Sequence, residues 1–487
     1  MAGSLFGAFE HIEKRDSTRM DLAIDHARLY DGSDIQSLGH GHFYPQSRSQ
    51  NSRIAMNIIR SITDTLMAKV IKNKPVPRFV TEFGDPGKQR QAEDLTRYIE
   101  GVFYQCDVSD VVAPAVLLDA MVQGDGFAKV LTVNNKIKVE RCFPWEIFVD
   151  QIDGTYGYPR AIYQQYLIDK QVAIENWPEA ESLIEQAARK QRNNHGYSRQ
   201  RRINRDTLTE QVMVIEAWRL PDSKPGRYVV AVETGQLNKD DDEWNRDRFP
   251  FARMQFARRQ AGYWGKGIAE ILTGRQFEIN LLLRKIQEVF ALHGRPILAI
   301  PRGSNIVKSH ISDELDMALE YTSGPGGGKP ELLTFPMFPP EFYQHLRELK
   351  QGGYEEIGLS LLSATGKKPA GLDASVALRE QQDIESERFL PIGRMYERWH
   401  MDLGRLILDE SRALGSHVVR TADRREMFEL DFKDLNLHDD AFVMKMFPSS
   451  WLPNSPTGKL QMVKEMQDSG WLQQEDSMRL IDMPDLD

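Results

Sequence analysis

Apolar residues recur every three or four positions in several stretches of the chain, which is the spacing of one face of an α-helix. In NSRIAMNIIRSITDTLMAKVIKNKP the apolar positions are Ile54, Ile58, Ile62, Leu66 and Val70. This spacing predicts an amphipathic helix capped by Asn51 or Ser52 and ended by Pro75. Two more helices are predicted at 88–104 and 111–123, whereas the polar segment up to about residue 48 is expected to end in a loop.

The longest helical patterns lie in the second half of the chain. One stripe, wider than a lone surface helix needs, predicts a helix over 267–293; its apolar positions are Ile268, Ile271, Leu272, Ile279, Leu282, Leu283, Ile286, Val289 and Phe290. A second helix is predicted from Pro339 or Pro340 to about residue 362. The longest is predicted over 376–414, capped by Ser375, closed by Gly415 and kinked at Pro391.

Short β-like runs separate these helices. FAKVLTV and KIKVERC flank Asn134 and Asn135, which predicts a β-hairpin, and CFPWEIFVD is predicted to continue as a strand. Further strands are predicted at VMVIEAWRL, RYVVAVET, PILAI, ALEYT and ELLTF, near 417–430 and at 441–447. Two short helices are expected after Asn454. The chain is therefore predicted to be α+β.

Length, composition and charge narrow the function classes. A chain of 487 residues predicts two to four structural units. Its longest apolar runs, such as 111–118, fall far short of the ~20 residues that span a bilayer, so no membrane partner is expected. The start MAGSLFGAFEHIEKRD has no secretory pattern, which predicts a protein that stays where it is made. A net charge of −9 argues against a protein that coats nucleic acid.

Searches for catalytic, cofactor and metal motifs predict a protein that is not an enzyme and has no cofactor or metal. Gly328-Lys329 and Gly366-Lys367 both fail the phosphate-loop pattern, and no HExxH or GxSxG is present. Cys106 and Cys142 lack zinc or redox spacing and are expected to be buried thiols. His40, His42 and the basic segment at 189–205 are interpreted as loop residues, and KDDDE at 239–243 as an exposed acidic turn rather than a cation site.

One stretch, EEIGLSLLSATGKKPAGLDASVALREQQDIESERF, resembles the tailed-bacteriophage portal proteins, also called head-to-tail connectors. In that family it corresponds to the second stem helix, the tunnel loop and the following long helix. Weaker similarity lies in NIIRSITDTLMAKVIKNKPVPRFVT, in DAMVQGDGFAKV with CFPWEIFVD, and in the closing segment from PSSWLPNSPTGKL onward. The similarity is loose between 155 and 260.

The resemblance implies a portal-like subunit that assembles into a ring of twelve copies. Carried over by position, its parts are a wing at 1–262 and 416–450, stem helices at 263–293 and 339–361, a clip at 294–338, a tunnel loop at 362–375, a long kinked helix at 376–415 and a short crown at 451–487. The implied partners are the major capsid protein, the large terminase, head–tail adaptor proteins and double-stranded DNA in the channel. The implied location is the portal vertex of the virion, after synthesis in the host bacterial cytoplasm.

Candidate site residues follow from this assignment. Lys367 and Lys368 are expected to face DNA from the tunnel loop, although an exposed lysine turn is the alternative. Arg284, Lys285 and Glu288 lie off the apolar stripe and are expected to line the channel or pair with neighbours. The clip residues expected to contact the terminase and adaptors are Arg295, Arg302 and Lys308.

The apolar stripe itself is predicted to form the subunit interface, through Ile271, Leu272, Ile279, Leu282, Leu283, Ile286 and Phe290. A core helix inside one subunit is the alternative. Two other function classes remain open: a nucleic-acid-processing enzyme such as a terminase or nuclease, and a capsid or scaffold protein that merely self-associates.

Overall fold

The computed structural model confirms a mixed α+β fold. It describes residues 2–32, 55–71, 75–81, 86–193, 210–238, 242–293, 297–299, 331–333, 339–359, 375–422, 427–435, 442–445, 463 and 467. The helices are α1 Ala2–Arg15, α2 Ser17–Tyr30, α3 Ile58–Ile71, α4 Pro86–Gln105, α5 Ala113–Gln123, α6 Lys170–Asn176, α7 Glu181–Asn193, α8 Ile268–His293, α9 Pro340–Ile357 and α10 Ser375–Leu414.

The strands are mostly short and antiparallel. They are β1 Arg78–Thr81, β2 Asp125–Val133, β3 Lys136–Cys142, β4 Ile147–Phe148, β5 Ala161–Asp169, β6 Gln211–Arg219, β7 Arg227–Val232, β8 Gly235–Gln236, β9 Asp242–Glu243, β10 Phe251–Gln255, β11 Ile297–Ala299, β12 Glu331–Leu333, β13 Val418–Ala422, β14 Met427–Asp431 and β15 Phe442–Lys445. Three larger groupings result: a sheet of order β10-β2-β3, a sheet of order β4-β5-β6-β7-β8 with β9 on β7, and separate two-stranded pairs.

The predicted hairpin is confirmed by β2 and β3. Asn134 and Asn135 both have positive φ, 50° and 60°, which is the geometry of a two-residue turn that suits the twist of the flanking strands. The register pairs Val133 with Lys136 at the turn and Phe127 with Cys142 at the open end. Alternate side chains of β3, Ile137 and Val139 among them, enter the core.

The strand predicted at CFPWEIFVD is wrong for most of its length. Within this stretch only Cys142, the last residue of β3, and the two residues of β4 are in strands, because the peptide turns between them. The N–H of Glu146 donates to the carbonyl of Phe143 at 2.9 Å, and Pro144 between them has no N–H for a strand ladder.

The capping residue predicted for α3 also requires correction. The helix starts at Ile58 and not near residue 54, and Asn57 caps it by accepting the N–H of Arg60 at 3.0 Å. The Asn57 side chain also donates to the carbonyls of Leu29 and Tyr30 at 2.8 and 2.9 Å. One side chain therefore both starts α3 and fixes it to the end of α2.

The two N-terminal helices were not predicted. Phe9 and Met20, from α1 and α2, are fully buried with Phe148 and Ile215 of the larger sheet. Phe9 and Phe148 make an edge-to-face ring contact with centroids 5.0 Å apart. These helices are held by partners more than 100 residues away in sequence, so their short apolar pattern alone did not reveal them.

The main core gathers α3, α4, α5, α8 and α10 against the β10-β2-β3 sheet. Trp399 of α10 is fully buried, and its indole N–H donates to the carbonyl of Ala252 in β10 at 3.1 Å. The helix predicted over 376–414 is confirmed; it begins one residue earlier, at Ser375, and is continuous through Pro391. Gly415 follows it with a positive φ of 75°, as a terminating glycine does.

No single helix among the described residues has the length and apolar character to span a bilayer, although α4 and the adjoining segment 108–123 meet that test as a pair bent by 58°. Several sequence predictions lie outside the described residues: His40, His42, the basic segment from residue 194, most of KDDDE, the ALEYT strand and nearly all of the closing segment.

Candidate functional site: the long helix α8 and its partner α9

Helices α8 and α9 form an antiparallel pair that projects from the main core. Arg275, near the start of α8, forms an ion pair with Glu356, near the end of α9, with Nε and Oε2 2.7 Å apart. At the other ends, β11 follows α8 and β12 precedes α9, and these strands pair through Ile297 and Leu333. The chain therefore leaves the core along α8 and returns along α9.

The first half of α8 is anchored by buried polar groups. Gln276, only 2% exposed, accepts the N–H of Ile58 at 3.0 Å and donates to the carbonyl of Met56 at 2.6 Å. Asn280, one turn later, accepts a hydrogen bond from Gln276 at 3.1 Å. These contacts satisfy backbone groups at the start of α3 that the helix itself leaves unpaired. The orientation of α8 on the core is thereby fixed by hydrogen bonds as well as by apolar packing.

The apolar stripe of α8 divides into two parts. Leu272, Ile279 and Leu282 are buried inside the subunit, which agrees with the alternative prediction of a core helix within one subunit. Ile271 packs against the main core. Leu272, Ile279 and Leu282 have almost no free surface for a neighbour, so these three positions are removed from the predicted interface. The half-buried Ile271, Leu283 and Ile286 and the exposed Phe290 remain predicted interface residues. Beyond Leu282 the core ends, and Leu283 and Ile286 are only half-buried.

Two large apolar side chains of α8 are exposed to solvent in the single chain. Phe290, from the predicted stripe, is 50% exposed, and Leu281, which the sequence analysis missed, is 40% exposed. Leu281 was missed because it falls between stripe positions and looks like part of a buried run. With Leu283 and Ile286, Phe290 forms an apolar surface on the outer half of α8, called here the outer stripe, whereas Leu281 lies on the opposite side of the helix. Such a surface is typical of a contact with another chain.

The charged residues predicted to line a channel lie beside the outer stripe. Lys285 and Glu288 are exposed, and Arg284 is half-buried. Their positions agree with the sequence analysis, and the channel role itself remains a prediction. The residues predicted for the tunnel loop and the clip contacts, Lys367, Lys368, Arg295, Arg302 and Lys308, lie outside the described residues.

Helix α9 shows one buried face and one acidic face. Tyr354 is buried and its hydroxyl lies 3.0 Å from that of Ser61, while a Cβ on Gly353 would approach Ile58 to 2.9 Å. On the opposite side three exposed glutamates recur every seven residues, at Glu341, Glu348 and Glu355. This spacing places them on one face of the helix. The face of α9 that carries these three glutamates is therefore acidic.

A second group of buried charges lies where β2, β3 and the larger sheet meet. Lys129 forms an ion pair with Glu216 at 2.8 Å, and the hydroxyls of Tyr166 and Tyr228 donate to the same carboxylate at 2.6 and 2.9 Å. The cation also lies 4.8 Å from the ring centroid of Trp218. This network is fully hydrogen-bonded, as a charge pair at such depth requires.

Glu146 lies close to that network and forms no ion pair with any residue that the structure describes. Burial raises the pKa of its carboxyl to about 7, against an opposing hydrogen bond from the N–H of Phe143. The nearby Asp119 raises that pKa further, and Lys129 lowers it. Cys142 nearby is a buried free thiol whose pKa is raised by the same burial, and Cys106 is also unpaired.

Among the residues that the structure describes, no three His, Cys, Asp or Glu side chains are grouped so that they could hold a metal ion. Comparison with known proteins does not assign the chain to a family. No family model matches it, and no curated protein matches it significantly.

Proposed function

We propose that this chain is a subunit of a ring-shaped portal through which a tailed bacteriophage packages, retains and ejects its DNA. The observation that carries the proposal is the outer stripe of α8, where Phe290 remains exposed beside the half-buried Leu283 and Ile286. Burying one such side chain stabilises a contact by about 1.5–3 kcal/mol. A neighbouring copy that covers the stripe supplies that burial.

The antiparallel pair α8 and α9 supports the same assignment. In the family that the sequence resembles, two stem helices flank the clip and together surround the channel. Here the pair carries an apolar surface on α8 and the glutamate face on α9. A duplex that slides through a ring must not be held tightly by its phosphates, and exposed carboxylates suit such a wall better than arginines do.

The proposal includes a ring of twelve copies at the portal vertex of the virion, the major capsid protein around the wing, and the large terminase and later the head–tail adaptors at the clip. Lys367 and Lys368 are proposed to contact DNA from the tunnel loop. The protein is proposed to act as a channel and docking ring, without catalysis and without a cofactor.

Negative-stain microscopy and mass photometry of the purified chain test this proposal. We expect closed rings with a central hole wide enough for a duplex of about 20 Å, a width set by its two antiparallel backbones. Irregular shells would favour a capsid or scaffold protein, and monomers at every concentration would contradict the proposal.

A further inference from the structure

Besides the outer stripe, the chain exposes large apolar side chains on an ordered loop. The segment 150–158, called here the aromatic loop, presents Ile152, Tyr156 and Tyr158 to solvent, with exposed fractions of 76, 84 and 80%. Tyrosine is among the residue types that contribute most to protein interfaces, because it buries a large area at a low cost in side-chain entropy.

The aromatic loop is held in one shape by its own hydrogen bonds. The Asp150 carboxylate accepts the N–H groups of Ile152 and Asp153 at 2.8 and 3.2 Å. The Asp153 carboxylate accepts the N–H of Arg160 at 2.5 Å, and the carbonyl of Thr155 accepts the N–H of Gly262 at 2.9 Å. A partner that binds this loop does not have to order it first, so more of the contact energy appears as affinity.

A concave surface of the same chain lies beside the turn of the β2-β3 hairpin. This cavity, called here the hairpin pocket, has a volume of about 940 Å³ and is lined by Cys106, Asn135, Lys138, His417 and Val418 among others. Val418 is 50% exposed in its wall. The exposed Tyr104 and Val111 adjoin it, since each is hydrogen-bonded through its backbone to the lining residue Asp107.

The aromatic loop and the hairpin pocket lie at opposite ends of strand β2. The loop is joined to the Asp125 end, because the N–H of Gly265 donates to the Asp125 carboxylate at 2.5 Å and Gly262 binds the loop. The pocket lies at the other end, where Val133 pairs with Lys136. Eight residues of extended chain separate the two ends by about 27 Å. One subunit therefore cannot join its own loop to its own pocket.

The charges around the hairpin pocket indicate a protein as the occupant. The lining carries three cations, Lys136, Lys138 and Arg420, and three carboxylates, Asp107, Glu140 and Glu429, so it has no basic surplus that would attract DNA or an anionic membrane. Among the described residues, Lys136 and Lys138 have no ion-pair partner, and neither has Asp150 at the base of the aromatic loop. A loop that enters the pocket brings these opposite charges together.

We infer that the aromatic loop of one subunit binds in the hairpin pocket of the next copy of the chain. A convex surface at one end and a concave surface at the other make a head-to-tail contact, and repetition of such a contact closes a ring when the rotation allows it. The inference rests on the proposed function in one respect, that the copies close into a ring. It adds a second contact, in the wing, to the one made by the outer stripe.

Two variants that each remove one side of the contact provide the test. Tyr156→Arg with Tyr158→Arg disables the loop, and Tyr104→Arg with Val418→Arg disables the pocket. All four side chains are at least half exposed, so the subunit fold is retained. Val172→Arg, at an exposed apolar site on α6, is the matched control and is expected to assemble as the wild type does.

Mass photometry of each variant alone and of a 1:1 mixture distinguishes the outcomes. We expect each variant alone to lose rings, and the mixture to form dimers without rings, because one intact loop and one intact pocket then remain per pair. If both variants formed rings, the proposed contact between the aromatic loop and the hairpin pocket would be wrong, whereas the proposed function would not be affected. Monomers in the mixture would overturn the pairing of these two surfaces. If wild-type subunits formed open chains, the head-to-tail contact would be supported, but the proposed closed ring would be contradicted.

Cross-linking gives an independent measurement on assembled rings. Cys142 is buried, and the partly buried thiol of Cys106 donates to the carbonyl of Ile137, so Val418→Cys in a Cys106→Ser background supplies an accessible thiol in the pocket wall. Subunits that also carry Tyr156→Cys are expected to yield a ladder of covalent oligomers with a short bis-maleimide, and subunits without Val418→Cys are expected to yield none. Rings without a ladder would place the loop elsewhere and overturn the inference.

Discussion

The side chain of Gln276 in α8 accepts the backbone N–H of Ile58, the first residue of α3, across 3.0 Å. The two residues are 218 positions apart, and the bond is fully buried. It links the helix that carries the outer stripe to the core of the same subunit. The stability of that junction can be measured separately from assembly.

Gln276→Leu is expected to lower the free energy of unfolding by about 2 kcal/mol, because it leaves the N–H of Ile58 and the carbonyl of Met56 buried without partners. Urea denaturation of the non-assembled chain measures the change. Gln344→Leu, at an exposed position of α9, is the control and is expected to shift stability by no more than about 0.5 kcal/mol. Equal effects of the two substitutions would contradict the capping role of Gln276.

Phe290→Arg is expected to weaken each subunit contact by about 2 kcal/mol, roughly 30-fold in affinity, because it removes apolar burial from the outer stripe and places a charge there. The measurement is the concentration at which rings disassemble, followed by mass photometry. Glu278→Arg, at an exposed site of the inner half, introduces the same side chain outside the stripe and is expected to leave that concentration nearly unchanged.

Stability should decrease between about pH 5 and 7 because of Glu146. The folded chain holds a proton on this carboxyl up to about pH 7, whereas the unfolded chain releases it near the ordinary pKa of 4.5. The unfolded state therefore binds fewer protons in this window, so the free energy of unfolding falls as the pH rises and levels off above 7.

Glu146→Gln should remove that contribution. The variant is expected to match the wild type near pH 5 and to exceed it near pH 8, by an amount on the order of 2 kcal/mol. Calorimetric melting at the two pH values measures the difference. Glu175→Gln, at an exposed position of α6, is the control and is expected to differ from the wild type in melting temperature by the same amount at both pH values. If Glu146→Gln also showed the same difference at both pH values, Glu146 would not be the source of the pH dependence.

Lys367→Ala combined with Lys368→Ala is expected to leave ring assembly intact and to alter DNA packaging or retention. In the proposed ring, two lysines per subunit would give the channel a ring of cations, each individually weak and screened within about 8 Å at physiological salt. Genome content of mutant virions is the measurement. Lys69→Ala with Lys190→Ala, which removes the same charge from elements outside the stem pair, is the control. Unchanged content in the tunnel-loop variant would exclude the DNA-facing role.

The long helices and the hairpin were predictable because local signals agree there. The stripe of α8, the cap at Ser375 and the Asn134-Asn135 turn each act over a few residues, and the observed bounds differ from the predicted ones by only a few positions. The strand expected around Phe143 failed because Pro144 and a tight turn outweighed the β-propensity of the aromatic residues.

The division of the α8 stripe was not predictable from periodicity. Leu282 and Phe290 satisfy the same helical spacing, yet one is buried and the other is exposed, because the core formed by distant segments ends between them. The inner half of α8 is held by hydrogen bonds to the backbone of Met56 and Ile58, which are more than 200 residues away in sequence. The hairpin pocket was likewise hidden, since it is assembled from α4, the hairpin and β13.

The anchoring of α8 at its inner half has a consequence for how copies come together. A helix fixed at one end by Gln276 and the surrounding apolar side chains has already lost most of its backbone freedom before any neighbour arrives. Association then immobilises mainly the side chains of the outer stripe, at a cost of about 0.5–1.5 kcal/mol for each flexible one. In the proposed ring, the subunit would therefore meet its neighbour with α8 already held in place, and the fold of the single chain would set the angle between successive copies.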